Sequence, residues 1–235
     1  MKRFFRRKST YIIGIPLVII IAVFGGAFIY THVINPPASK VGFSDISTTT
    51  GPKGSTTTLS PAQLDGAWKP TNASVVQYLV PEILFGQSTK ADGTTNAVTG
   101  SLTIAGTTVP KAAFTVDLTT VHSNQARRDA QFQGRIMNTS QFPTATFTLT
   151  KPIAFGSVPA ENKTITATAA GNLMLHGTTK SVTFDVKARR VGNTVEVTGT
   201  IPVHFADYGI PNPTFGPAQV GNNGDLAFAL AFEKA

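Results

Sequence analysis

Two hydrophobic patterns divide this chain. Near the N-terminus, Tyr11 to Tyr30 runs without a single charged residue. About 20 apolar residues at a rise of roughly 1.5 Å each match a hydrocarbon core of about 30 Å, which predicts a transmembrane helix over 11–31. From Leu64 onward the period becomes two. Phe114, Val116 and Leu118 alternate with Thr115, Asp117 and Thr119, and Phe147 and Leu149 alternate with Thr146, Thr148 and Thr150. Ile165, Ala167 and Ala169 oppose Thr164, Thr166 and Thr168, and Val182, Phe184 and Val186 oppose Thr183, Asp185 and Lys187. Val195, Val197, Ile201 and Val203 continue the pattern, and Leu226, Phe228, Leu230 and Phe232 close it. Such alternation predicts half-buried antiparallel strands. Turn signals stand at Asp92-Gly93, Gly106, Gly177, Gly192-Asn193 and Asn223-Gly224.

One stretch breaks the strand period. Over Gln125–Met137, Phe132 and Ile136 lie four apart with Ala126 and Ala130 near the same face, which predicts a short helix capped by Ser123 or Asn124 and weakened at Gly134. At least seven strands and one helix predict an all-β domain, an antiparallel barrel or sandwich, over residues 64–235. Between the span and this domain, residues 32–63 are rich in Ser, Thr, Pro and Gly and read as a flexible linker. Val41, Phe43 and Ile46 are an apolar exception there with two readings, docking on the domain or, as is commoner for a short linker motif, solvation.

Charge settles orientation and excludes several functions. Lys2, Arg3, Arg6, Arg7 and Lys8 make residues 1–10 a basic stub, which holds the N-terminus in the cytoplasm and predicts that everything after the span is extracytoplasmic. The alternative is a cleaved signal with a site near Gly25-Gly26-Ala27 and a secreted domain; the span length favours a retained anchor. From Leu64 on there are 13 Lys/Arg against 11 Asp/Glu, and so neutral a domain lacks the footprint of a nucleic-acid binder. The absence of Cys removes disulfides, thiolate nucleophiles and lipidation on cysteine. The four histidines, His32, His122, His176 and His204, show no metal-ligand spacing, and no nucleophile-elbow or phosphate-loop motif occurs. No enzyme activity, metal or cofactor is therefore expected.

The in-phase apolar residues Phe114, Val116, Phe147, Leu149, Ala167, Val182, Phe184, Val197, Phe228 and Leu230 are the candidate lumen lining, and equally the packed core of a closed barrel or sandwich. This face carries no charge, so a cavity's occupant should be apolar. Arg128 and Asp129 admit two readings, a helix-dipole contact or a polar contact at a barrel mouth. His176 reads as a hairpin residue bonding backbone or a carboxylate, His204 as facing solvent, and Asp207 as an Asx-type turn.

Five segments in order resemble the YceI-like family, the lipocalin-like polyisoprenoid-binding proteins of bacteria. They are Val116-Asp117-Leu118-Thr119-Thr120-Val121, Arg127-Arg128-Asp129 with Phe132, Phe142-Pro143-Thr144-Ala145-Thr146-Phe147, Gly171–Lys180 and Asp207-Tyr208-Gly209-Ile210. The resemblance covers about residues 65–235. It implies an eight-stranded antiparallel lipocalin-like barrel, closed by a helix and holding an isoprenoid chain. Gln131 stands where the family often has His, Ile136-Met137 where it has paired aromatics, and Phe205 where it has Arg. The reading is a membrane-anchored cell-envelope protein that binds or carries an apolar lipid, a polyisoprenoid being the family's ligand. The rival is a ligand-free structural or adhesion module of the envelope.

Overall fold

A computed structural model describes residues 25–34, 36–46 and 61–235 of this chain. The basic stub, most of the expected span and residues 47–60 of the expected linker lie outside the described residues. Among the described residues no helix is long and apolar enough to cross a membrane.

One antiparallel sheet of 12 strands accounts for the domain. The strands are β1 (Gly66–Pro70), β2 (Val75–Leu84), β3 (Gln87–Thr95), β4 (Val98–Ala105), β5 (Thr108–Asp117) and β6 (Thr144–Leu149), then β7 (Ile153–Ala154), β8 (Ile165–Leu175), β9 (Thr178–Val191), β10 (Thr194–His204), β11 (Ala218–Val220) and β12 (Asn223–Lys234). β1 and β2 are two lengths of one course. β3 and β4 form its return, so that β2 pairs β3 and β1 pairs β4. With β5, β6, β8, β9, β10 and β12 these courses make eight staves, and the ring closes where β12 pairs both β1 and β2. The chain thus forms a closed eight-stranded antiparallel barrel with short helices.

The period-two stretches fall on these staves with their apolar residues inward. Trp68 plugs the lower end. It is fully buried, and its indole N–H donates to the Leu64 carbonyl at 2.8 Å from helix α2 (Pro61–Leu64). The upper end carries the β2–β3 turn, residues 118–143, the β8–β9 hairpin and the loop 205–222.

Three expectations are corrected. Asp92-Gly93 is no turn but lies within β3, where a Cβ on Gly93 would stand 2.5 Å from the Tyr78 ring. The glycine is there to admit an inward aromatic. The turn is Phe85-Gly86, both at positive φ (52° and 78°), the pairing a two-residue hairpin needs. The helix begins one residue late: α3 (Ala126–Gln131) has Gln125 as N-cap with no side-chain bond. Ser123 is instead drawn to Asp129, donating its N–H (2.8 Å) and its hydroxyl (2.6 Å) to Oδ1. Beyond Gln131 the helix widens into a π-turn, Phe132–Ile136, around Gly134.

The third correction concerns the linker. Residues 36–46, ending in helix α1 (Phe43–Ile46), lie as a strap on the outer wall of β2, β10 and β12. Ile46 is 1% exposed and packs on Val75, Ala229 and Ala231. Phe43 lies 4.4 Å from the Arg189 guanidinium, which donates to Glu196 at 2.6 Å. Val41 N–H donates to Gln77 Oε1 and Gln77 Nε2 to the Ser39 carbonyl, both at 3.0 Å, and Lys40 pairs with Asp225 at 2.8 Å. The physical reason is the wall beneath: the small residues Ala229 and Ala231 leave a groove, and Gln77 offers both hydrogen-bond senses. An apolar triplet with such a partner is buried, not solvated.

Inward rings elsewhere need the same space as Tyr78. A Cβ on Gly199 would sit 2.4 Å from Phe228 Cζ. Gly199→Ala should therefore cost about 1–3 kcal/mol by overpacking. In urea unfolding, Gly199→Ala/Phe228→Leu should be less destabilised than the sum of the two single changes.

Candidate functional site

The barrel interior is not filled. Two cavities lie along its axis, an upper one of about 310 Å³ and a lower one of about 150 Å³. Val76, Val116 and Leu226 line both and form a waist between them. The upper volume alone is within the range of small-molecule sites.

The lower chamber is lined by apolar side chains, with Thr146 the one exception. Phe114, Val116, Phe147, Leu149, Ala167, Phe184, Val197, Phe228 and Leu230 of the sequence-derived set all line it. Phe147, Phe184 and Phe228 form an aromatic band across it, edge to face at 5.5 and 5.9 Å between centroids. Val182 is not among the lining residues; it pairs with Gly171 and packs against the core cluster that includes Leu173 and Phe184. Period two could not separate it from the lining, because it shares the inward phase of Phe184, which does line the chamber.

The upper chamber opens at the mouth and is mixed. Arg128 lines it, with Nη1 donating to Asn124 Oδ1 at 2.9 Å. Asp129 does not, being held by Ser123. Glu82 projects inward from β2, so the expectation of an uncharged lining fails at this end. Burial pushes its carboxyl above the usual carboxylate range, opposed by the Arg128 charge. Tyr78 stacks on Phe132 at 5.0 Å and 8°, pinning the π-turn over the mouth. Burial raises the Tyr78 phenol well above its ordinary value of 10.0, opposed by Arg128. Gln131 and Phe205, two positions where the chain departs from the family pattern, also line this chamber.

Tyr78 and Glu82 went unread in the sequence because Val75–Leu84 does not alternate cleanly. Its outer face, Val75 and Gln77, is buried under the strap. The signal was the even-numbered set Val76, Tyr78, Val80, Glu82 and Leu84, in phase with one another. His176 closes the β8–β9 hairpin at φ 48°, with Nδ1 3.3 Å from the Tyr208 carbonyl, and His204 is exposed, both as expected.

Tyr30 reaches the mouth from the other side of the strap. It lines the upper chamber, with its ring edge-on to Phe85 at 6.2 Å and its hydroxyl 3.4 Å from Gln125 Nε2.

The tyrosines set an alkaline limit. Burial also raises Tyr208, with Asp207 adding to it. Below pH 10 these phenols are neutral whether the chain is folded or not. As pH rises through 10, the unfolded phenols ionise while the folded ones resist, so stability is lost. Tyr78 alone should contribute a slope of about 1.4 kcal/mol per pH unit. Unfolding free energies measured from pH 8 to 11 should fall above 10, less steeply in Tyr78→Phe.

The family model for the YceI-like domain matches residues 33–232. Two solved structures share the fold. One is a polyisoprenoid binding domain from Saccharophagus degradans implicated in plant cell wall breakdown, at 15% identity over 73% of this chain and 99% of that one, with a TM-score of 0.58. The other is BcnA of Burkholderia cenocepacia, at 17% identity over 69% and 98%, with a TM-score of 0.55. No curated protein matches the sequence.

Proposed function

Since the chain belongs to the YceI-like family, we propose that it binds or carries a long apolar lipid of the isoprenoid class, without chemistry, at the outer face of the cytoplasmic membrane. The observation that carries the reading is the pair of chambers joined at a waist. A compact ligand would need one wide cavity, whereas a flexible chain can pass Val76, Val116 and Leu226 and fill both. The lower chamber suits a tail, since burying apolar surface there is worth about 25 cal/mol per Å² with almost no polar group left unpaired. The upper chamber suits a polar end, with Arg127, Arg128, Tyr78 and Gln125 at hand. The name of the Saccharophagus degradans domain supports the ligand class. Residues 11–31 anchor the protein in this reading, with the barrel extracytoplasmic.

Purification of the full chain in nanodiscs, followed by solvent extraction and mass spectrometry, should yield one long apolar lipid per chain. Ala167 lines the lower chamber, so Ala167→Trp should abolish this cargo with a near-normal melting point. No lipid, together with a stability loss of the roughly 1–3 kcal/mol expected of an overpacked solid core, would overturn the reading. Protease added outside intact cells should remove the barrel; release of a domain beginning near Phe28 would instead indicate a cleaved signal.

A further inference from the structure

The large exposed hydrophobic side chains among the described residues are Phe28, Ile29, Val33, Ile83, Phe85 and Phe215. Ile83, Phe85 and Phe215 gather at one end. Phe85 touches Tyr30, Phe215 and Tyr30 both line the upper chamber, and Ile83 sits beside Phe85 on the same hairpin. Water-exposed apolar groups clustered in this way mark an interaction surface.

Cations flank the cluster. The Arg127 and Arg135 guanidinium carbons lie 5.0 and 5.8 Å from the Phe215 ring centroid. Arg135 also donates to the Asn212 and Pro213 carbonyls at 3.1 and 3.0 Å, fixing the loop that presents Phe215. Of the carboxylates at this end, Asp129 is bonded to Ser123 and Asp225 to Lys40. Glu82 faces into the chamber. Aromatic residues among arginines form the pattern that partitions into a headgroup layer.

Chain continuity names the partner. The apolar run beginning at Tyr11 ends at Tyr30, on this rim. The strap is bonded to the barrel wall from Ser39 onward, and the stretch from Tyr30 to Ser39 cannot extend beyond about 30 Å. The barrel is therefore held close to the end of the run, with its open end toward it.

We propose that the barrel docks mouth-down on the bilayer, with Phe85, Ile83 and Phe215 in the interface and Arg127 and Arg135 toward anionic lipid phosphates, so that cargo passes between bilayer and chamber without crossing water. This rests on the reading of residues 11–31 as an anchor and of the chambers as a lipid site.

The test uses the full chain in nanodiscs of phosphatidylcholine and phosphatidylglycerol with brominated acyl tails. Trp68, the chain's single tryptophan, lies at the opposite end of the barrel and serves as the internal reference. Phe85→Trp should lose most of its added emission to the bromines while wild type keeps its own, and adding Arg127→Gln should weaken the quench. Equal quenching of Phe85→Trp and wild type overturns the proposal. So does a blue-shifted but unquenched Phe85→Trp, which would put a second copy of the chain on the rim. If Phe85→Trp fails to fold, Phe215→Trp asks the same question. Lipid extraction from the same sample separates the readings: quenching without cargo retains docking and rejects carriage, and cargo without quenching does the reverse.

Discussion

Closure of the ring at Ser74 is the constraint on which the rest depends. The first course must pair with β12 along its length, yet it breaks between Pro70 and Val75. Ser74, fully buried, repairs the break with its side chain. Its hydroxyl accepts from Ala231 N–H at 3.1 Å and donates to the Ala231 carbonyl at 3.2 Å. Thr71 N–H donates to the same carbonyl at 2.8 Å, and Asn96 Nδ2 donates to the Ser74 carbonyl at 2.8 Å. The stitch bridges the gap between the two ladders by which β12 pairs β1 and β2, so that no edge is left open there. With it the strand number is fixed, and strand number sets the width of the interior.

That width leaves room because of what the staves carry. A barrel of this size is filled if large side chains point inward from every stave. Here large rings face very small residues. A Cβ on Gly171 would lie 2.4 Å from the Phe147 ring, and Ala145, Ala167 and Ala169 line the same chamber. The rings lean across onto one another instead of meeting a partner head-on, and the space opposite them is the lower chamber. The waist exists for the opposite reason: Val76, Val116 and Leu226 are mid-sized residues on three different staves where the two chambers meet. Aromatic–glycine pairing and aliphatic constriction thus produce a long narrow lumen from the same ring.

The fold was legible in the sequence because its staves are half-buried, and half-burial writes itself as alternation. Ile165–Leu175 and Asn223–Lys234 showed it clearly. The reading weakened wherever a stave is covered on both faces. β2 hides under the strap, so its inward Tyr78 and Glu82 were lost in a mixed run. Val41, Phe43 and Ile46 alone could not decide between docking and solvation, because the strap's partners Ala229, Ala231 and Gln77 lie far along the chain. Gly93 misled for a related reason: a glycine that admits a ring from a neighbouring strand looks, in one dimension, like a glycine that turns. Nine residues of the sequence-derived set do line the lower chamber, since inward phase is a local property, whereas which inward side chain reaches the cavity is set by its neighbours across the staves.

Charge is distributed along the lumen with a direction. The lower chamber's lining carries none, and the upper one gathers Glu82, Asp225, Arg127 and Arg128. Placing Glu82 there costs desolvation, which Arg128 partly offsets, and an amphiphile bound with its polar end at this level would keep its own charge beside these groups. The proposed docking gives that direction a use. In a bilayer a lipid's headgroup lies at the interface and its tail points away from the surface. In a barrel seated mouth-down, the head-binding level coincides with the same interface, and the tail points away on the other side. Transfer then requires the tail to change sides while the head stays near one depth. The head never leaves a polar layer, and the tail is never surrounded by water. In the proposed docking, the largest barrier to moving a long apolar chain, its exposure to solvent, would be removed by where the charges and the open end of the barrel sit.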